Sequence, residues 1–157
     1  MKNNSGYLLI ESMVAITVLT IGFLSVFSLV NQSIGLSRVI NDQFTANYLA
    51  AEGIELVKNL IDANYLQSQA WNQGFNDGDY EIDYNGASLG NNSSKFLLLD
   101  SNGYYNYQNG SEMPFKRTIV IKNNSSDEIK VNSIVKWIGR GGINLEVNLE
   151  DHFFNNR

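Results

Sequence analysis

The fold is decided by the stretch YLLIESMVAITVLTIGFLSVFSLV, which covers residues 7–30. A short polar segment, residues 1–6, precedes it, and Glu11 is the one charged residue inside it. The nineteen residues from Ser12 to Val30 carry no charge, and as a helix they extend about 28 Å at about 1.5 Å per residue. This length approaches the roughly 30 Å hydrocarbon core of a bilayer. The stretch therefore predicts a membrane-spanning helix.

The amino-acid composition of the chain argues against several classes of function. The chain has 157 residues, no cysteine and a net charge of −5, and its length suits one ordinary domain. The missing cysteines exclude disulfides, thiolate metal sites and cysteine nucleophiles. The negative charge provides no general attraction for nucleic acid. With His152 as the only histidine, histidine-based catalysis and a zinc site have little support, and no cofactor is expected.

Three interpretations of residues 7–30 compete. A cleaved secretory signal has a shorter apolar core and a small-x-small cleavage site, which the sequence after Val30 does not offer. A plain signal anchor fits the length but gives no reason for Glu11. A carboxylate in a membrane span costs about 2–3 kcal/mol or more and usually has a partner. A third interpretation of the stretch must therefore supply a partner for Glu11.

Residues 6–15, GYLLIESMVA, resemble the class III signal of type IV prepilins and pseudopilins. In that family a dedicated peptidase cuts after the glycine and methylates the new N-terminus, and a glutamate occupies the fifth mature position. Counted from Tyr7, Glu11 is the fifth residue. The resemblance implies cleavage between Gly6 and Tyr7, N-methylation of Tyr7 and a role for Glu11 in subunit assembly. Tyr7 departs from the usual phenylalanine, and the leader has one basic residue, Lys2, where several are common.

The helix is predicted to continue past Val30 and to become amphipathic, because no proline interrupts residues 7–62. At 100° per residue, an arc of about 160° collects apolar side chains and small residues. These are Ala46, Leu49, Ala50, Gly53, Ile54, Leu56, Val57, Leu60 and Ile61. The opposite arc holds Asn47, Tyr48, Ala51, Glu52, Glu55, Lys58, Asn59 and Asp62. The pattern predicts one helix of about 55 residues, roughly 84 Å long, whose apolar face needs a cover.

Beyond Ala63 the hydrophobic period changes from helical to strand-like. Residues 64–78 predict a loop that Trp71 and Phe75 anchor to the core. The predicted strands cover residues 79–84, 95–99, 104–107, 115–121, 129–138 and 143–149. Asp100–Gly103 and Gly139–Gly142 are the predicted turns of two hairpins.

The last three strands predict an antiparallel meander with one apolar face. Ile129, Val131, Ser133, Val135 and Trp137 share one face of their strand, and Ile143, Leu145, Val147 and Leu149 share one face of the next. The amphipathic helix supplies the matching cover. The expected fold is α+β: a long N-terminal helix, half transmembrane and half amphipathic, packed on a C-terminal antiparallel β-sheet head, as the pilin resemblance also implies. The expected segments are a leader (residues 1–6), a transmembrane helix (7–30), an amphipathic helix (31–63) and a head domain (64–157).

Acidic side chains at alternate positions form a weak candidate calcium site. Asp77, Asp79, Glu81 and Asp83 offer oxygen ligands, but the segment lacks the further ligands and the glycine of an EF-hand loop. A solvated strand face explains the pattern as well. In that reading Tyr80, Ile82 and Tyr84 face the core, and the three acids of residues 79–83 face solvent.

Other candidate motifs have plainer interpretations. Gly139–Gly142 lacks the lysine and the following helix of a phosphate-binding loop. His152 has no accompanying serine motif and is predicted to lie on the surface. The tyrosines at 104, 105 and 107 are able to stack on sugars or bases, but in a hairpin they more often alternate between core and surface.

The sequence therefore predicts a non-enzymatic structural subunit. The resemblance implies a precursor that spans the inner membrane once with its head outside the cytoplasm, and a mature form in a pilus or pseudopilus. The implied partners are a prepilin peptidase, other pilin subunits, the inner-membrane assembly platform and, before assembly, membrane lipid. The alternative is a membrane-anchored extracytoplasmic binding or sensor module that never polymerises.

Overall fold

The computed structural model describes residues 5–155. Within this range one helix is followed by eight strands. They are α1 (Ser5–Leu66), β1 (Gly78–Glu81), β2 (Gly90–Asn91), β3 (Leu98–Leu99), β4 (Tyr105–Asn106), β5 (Ser111–Glu112), β6 (Phe115–Ser125), β7 (Glu128–Ile138) and β8 (Asn144–Phe154). Residues 1–4, most of the predicted leader, lie outside the described residues, as do residues 156 and 157.

Helix α1 is continuous over 62 residues, which confirms the predicted uninterrupted helix. It ends at Leu66 rather than near Ala63. The Ser68 N–H donates to the Tyr65 carbonyl at 3.1 Å, and the Gln69 N–H donates to the Asn64 carbonyl at 2.9 Å. With a φ of 56° at Ser68, these bonds form a Schellman motif, in which the residue after the helix adopts the left-handed conformation.

Contacts within the chain form two compact units, residues up to Ile40 and residues from Asn41 onward. In the N-terminal unit the described residues are all helical, and the side chains from Gly6 to Ile34 are exposed. The C-terminal unit contains the rest of α1 and every described strand. An antiparallel sheet therefore provides the cover that the amphipathic part of α1 requires.

The described strands form two antiparallel sheets. The larger has the order β2-β1-β6-β7-β8, and the smaller has the order β4-β3-β5. Strands β6, β7 and β8 form the predicted meander, in which Ile119 lies opposite Ser133 and Val135 lies opposite Val147. The pairing of β3 with β4 confirms the predicted short hairpin. Sequence patterns do not predict β2 and β5, because each has two polar or glycine residues and no alternation.

The core lies between one face of α1 and the inner face of the larger sheet. The predicted apolar arc of α1 is buried or half-buried throughout, and the opposite arc is exposed except for the half-buried Glu52. One apolar cluster contains Ile54, Val57, Ile61, Trp71, Phe75, Ile82, Ile119, Ile121, Ile129 and Val131. A second contains Ala46, Leu49, Ala50, Leu97, Phe115, Val135 and Trp137. Full burial of each large apolar side chain contributes about 1.5–3 kcal/mol, so this interface holds the unit together.

The helix approaches the sheet most closely at Gly53. A Cβ atom at this position would overlap Ser133 Oγ and lie 2.8 Å from Ile119 Cδ1. The absence of a side chain therefore allows α1 to rest directly on β6 and β7. Sequence periodicity placed Gly53 on the buried face, but the contact depends on residues far away in the chain.

Strand β8 departs in part from its predicted pattern. Leu145 and Val147 are half-buried as expected, but Leu149 is 41% exposed. Ile143 is 61% exposed and precedes the strand, because it belongs to the turn in which the Gly139 N–H donates to its carbonyl at 2.8 Å. As the last strand of the larger sheet, β8 is covered on its inner face only in part.

Candidate functional site

The apolar run at the start of α1 has no protein cover among the described residues. Tyr7 is 76% exposed and Leu19 is 73% exposed. By length and composition this helix is able to cross a membrane. Lipid, or other apolar helices, would remove this surface from water.

Four hydroxyl groups inside the run are bonded to the helix itself. Ser12 Oγ donates to the Leu8 carbonyl at 2.8 Å, and Thr17 Oγ1 donates to the Met13 carbonyl at 2.7 Å. Thr20 and Ser25 make the same bond to the residue four positions earlier, at 2.6 and 2.8 Å. Such bonds satisfy a hydroxyl without a partner helix, so these four residues suit an apolar environment.

Glu11 differs from these residues because its carboxylate forms no hydrogen bond or ion pair with any described residue. It is exposed, one turn after Tyr7 on the same face of α1. A carboxylate in this position requires either water or a cation from outside the described chain.

Gly6 and Tyr7 lie in the first turn of α1. The first four N–H groups of a helix have no acceptor carbonyl within the helix. Nothing lies within 4 Å of the position that a Cβ of Gly6 would occupy. The side of α1 at Gly6 is thus open among the described residues.

Three of the four acids of the calcium candidate, Asp77, Glu81 and Asp83, form hydrogen bonds with different groups. Asp77 accepts hydrogen bonds from the Asn123 N–H at 2.7 Å and from Asn123 Nδ2 at 2.8 Å, and these bonds lower the pKa of its carboxyl group. Glu81 accepts from the Ser93 N–H, Ser93 Oγ and the Lys95 N–H at 2.9–3.2 Å. The described residues contain no group of three or more acidic, histidine or cysteine side chains placed to hold a metal ion.

The predicted exposure of residues 79–84 is wrong at three positions. Glu81 is 8% exposed and Asp83 is 6% exposed, whereas Tyr84 is 38% exposed. Strand β1 ends at Glu81, so the alternation stops there. Polar groups that follow in the chain then enclose the two carboxylates; Gln108 Nε2, for example, donates to Asp83 Oδ2 at 3.3 Å. Asp79 is exposed and Ile82 is buried, as predicted.

The three tyrosines of the hairpin lie in different environments. Tyr107 Oη donates to the Arg117 carbonyl at 3.2 Å, and burial raises the pKa of its phenol group to about 12. Tyr105 is half-buried, and Tyr104 is 54% exposed. The Tyr104 ring stacks on the Tyr84 ring with centroids 4.8 Å apart. The three rings therefore do not form a shared stacking surface.

His152 lies on the surface, as predicted, within a polar network of β7 and β8. Its Nδ1 is 2.6 Å from Glu128 Oε1 and its Nε2 is 3.3 Å from Glu150 Oε1. Hydrogen bonds to Glu128 and then Glu150 raise the pKa of the imidazole. Bonds from Asn132, Lys130 and His152 lower the pKa of Glu150 to about 2. This network stabilises the paired strands.

Sequence reasoning missed a buried arginine at the interface between α1 and the sheet. Arg117 is 1% exposed. Its Nη1 donates to Glu52 Oε2 at 2.8 Å and to the Leu49 carbonyl at 3.1 Å, and its Nη2 donates to the Ile82 carbonyl at 2.6 Å. The sequence does contain a signal for the burial of Arg117, because strand alternation places it on the same face as the inward-facing Phe115 and Ile119.

Comparison with known proteins identifies no relative of this chain. No protein-family model, no curated protein and no solved structure matches the chain at a significant level.

Proposed function

We propose that this chain is a structural subunit, of the minor type, of a type IV pilus or related pseudopilus. It is made as a membrane-anchored precursor, cut between Gly6 and Tyr7 by a prepilin peptidase and N-methylated on Tyr7. The observation that carries the proposal is Glu11. It is the one charged residue of an apolar helical run, lies five positions after Gly6 and has no partner among the described residues.

Cleavage would create the cation that Glu11 lacks. The new amine on Tyr7 would lie about 6 Å from Glu11 along the helix axis. A neighbouring helix that is shifted by about this distance would bring its own Tyr7 amine level with Glu11. In lipid the two charges would then satisfy each other, which removes the main cost of placing either one there.

The N-terminal unit is suited both to the membrane before assembly and to a bundle of subunit helices after it. Its exposed apolar helix is able to exchange lipid contacts for contacts with the helices of other subunits. The precursor would span the inner membrane once, with its head outside the cytoplasm, and would pass through the assembly platform. The four internally bonded hydroxyls make no demand for a specific partner, so Glu11 supplies the specificity.

Processing is tested by co-expressing the full chain with an active prepilin peptidase and measuring its intact mass. We expect the loss of residues 1–6 and methylation of Tyr7. Gly6→Leu should block cleavage, because the enzyme approaches the glycine backbone closely. Gly22→Leu is the matched control, since Gly22 also lies in α1 with nothing near its Cβ position. An uncut wild-type chain would contradict the proposal and favour the membrane-anchored module.

Assembly is tested with Glu11→Gln and Glu11→Val. Both variants should insert into the membrane at least as well as the wild type, because a desolvated charge is removed. Both should be cut normally, yet less of the cut protein should be recovered in sheared filaments or with other pilins. Ser12→Ala is the matched control, since the Ser12 hydroxyl bonds within its own helix. Wild-type recovery of Glu11→Val would show that the glutamate has no role in assembly.

A further inference from the structure

A cleft of about 340 Å³ lies in the C-terminal unit, where α1 ends. Its wall is formed by the last turns of α1, the loop that follows it and the 87–89 segment before β2. The volume lies at the lower end of the range for small-molecule sites, which is roughly 300–1,000 Å³. Nothing in the proposed assembly role uses this cleft.

The chemistry of the lining is unusual for a chain with 27 charged side chains among Lys, Arg, Asp and Glu, since none of the lining residues is charged. Four carboxamides and one hydroxyl provide the polar part: Asn64, Gln67, Gln69, Gln73 and Ser88. Leu60 and Leu89 contribute apolar surface. By contrast, a larger cleft of about 430 Å³ elsewhere in the unit is lined in part by Lys116, Lys136 and Glu146.

The loop that carries the glutamines is held by its own hydrogen bonds. Asn64 Nδ2 donates to the Trp71 carbonyl at 3.1 Å and to the Gln73 carbonyl at 2.9 Å. The Gln73 N–H donates to the Ala70 carbonyl at 2.9 Å, and Trp71 is buried. The side-chain amides of Gln67, Gln69 and Gln73 form no hydrogen bond with any described residue. They therefore remain available on a fixed backbone.

We propose that this cleft binds a neutral carbohydrate. A carboxamide offers one acceptor and two donors, which matches sugar hydroxyls, because each hydroxyl both donates and accepts. The leucines offer apolar surface to the C–H face of a sugar ring. Phosphates, carboxylates and cations find no countercharge here. A flat base finds no stacking platform, since Phe75, the aromatic residue of the lining, is only 4% exposed.

The test uses the full-length protein in a zwitterionic detergent without a sugar headgroup. Glucose, galactose, N-acetylglucosamine and lactose are titrated while the side-chain NH₂ resonances of asparagine and glutamine are followed by ¹H–¹⁵N NMR. Inorganic phosphate and N-acetylneuraminate are the charged comparison ligands. We expect saturable shifts of the Gln67 and Gln73 resonances with at least one neutral sugar and none with phosphate.

Variants link the binding to the cleft. Combining Gln67→Leu with Gln73→Leu should weaken the sugar affinity about 30-fold, the loss expected for two neutral hydrogen bonds. Gln43→Leu, on the exposed surface of α1, should leave the affinity unchanged. Tryptophan fluorescence checks that each variant is folded, because both tryptophans are buried in the core. The proposal is overturned by the absence of shifts with every neutral sugar, by unchanged affinity of the double variant or by stronger binding of a charged ligand. None of these results depends on cleavage at Gly6.

Discussion

The ion pair between Glu52 and Arg117 joins α1 to β6 across the core. Arg117 Nη1 lies 2.8 Å from Glu52 Oε2, and the side chains of the arginine and the glutamate are 0% and 21% exposed. Glu52→Gln keeps the shape and one acceptor but removes the charge. Arg117 would then be a buried cation with two carbonyl acceptors and no anion.

Breaking a fully buried ion pair costs about 3–5 kcal/mol. Glu52 reaches solvent and Arg117 keeps its two carbonyl bonds, so we expect a loss near the value of one hydrogen bond to a charged group, about 2 kcal/mol. That corresponds to about a 30-fold change in the equilibrium constant for unfolding. Glu55→Gln is the matched control, since the exposed Glu55 carboxylate has Lys58, at 3.8 Å, as its only ion-pair partner among the described residues. An exposed pair contributes less than about 1 kcal/mol.

The assay is urea unfolding of the full chain in detergent, followed by tryptophan fluorescence. Trp71 and Trp137 are the only tryptophans of the chain, and they lie in the two apolar clusters, so the signal reports on the C-terminal unit. Adding Arg117→Met to Glu52→Gln should recover part of the loss, because the unpaired cation is removed. Equal midpoints for Glu52→Gln and Glu55→Gln would refute the reasoning.

Three further perturbations follow from particular contacts. Ser68→Gly should stabilise the unit by up to about 1 kcal/mol in the same assay, because glycine adopts the left-handed conformation of Ser68 without steric cost; no rise in the midpoint would contradict this. Gly53→Val should lower the free energy of unfolding by about 3 kcal/mol or more, since its side chain would overlap Ser133 Oγ and Ile119 Cδ1. The control Ala51→Val lies on the exposed face of α1 and should cost far less. His152 has a raised pKa in the folded state, so its stabilising contribution is complete below the unfolded pKa of about 6.5 and is lost as pH rises through the folded value. The stability of the wild type relative to His152→Gln should therefore fall as pH rises from about 6.5, and a pH-independent difference would exclude this linkage.

The sequence predicts the features of the fold that depend on local periodicity. The continuous α1, its buried arc and the β6-β7-β8 meander all follow from patterns at least seven residues long. The two-residue strands β2 and β5 carry no such pattern. Their pairing depends on β1 and β3, which become available only once the chain is folded.

The failure to predict the buried charged residues has a different cause. Glu81 is buried because Ser93 and Lys95 supply its hydrogen bonds, and Arg117 is buried because Leu49, Glu52 and Ile82 supply acceptors. The partners of Arg117 lie 35 to 68 positions away in the sequence. Hydrophobic periodicity predicts which face of a strand is buried, but it does not show whether distant groups will satisfy a charge on that face.

In the proposed assembly, Glu11 has to fix the stagger between neighbouring helices, because the apolar run does not fix it. Lipid tails are as apolar as leucine, so replacing lipid by a neighbouring helix yields little hydrophobic free energy. The hydroxyls of Ser12, Thr17, Thr20 and Ser25 are already bonded within α1, so they create no demand for a particular register. Packing of the smooth apolar surface would be similar at several staggers. A charge pair between Glu11 and a Tyr7 amine exists only at a matching stagger, and therefore loss of Glu11 should impair assembly far more than membrane insertion.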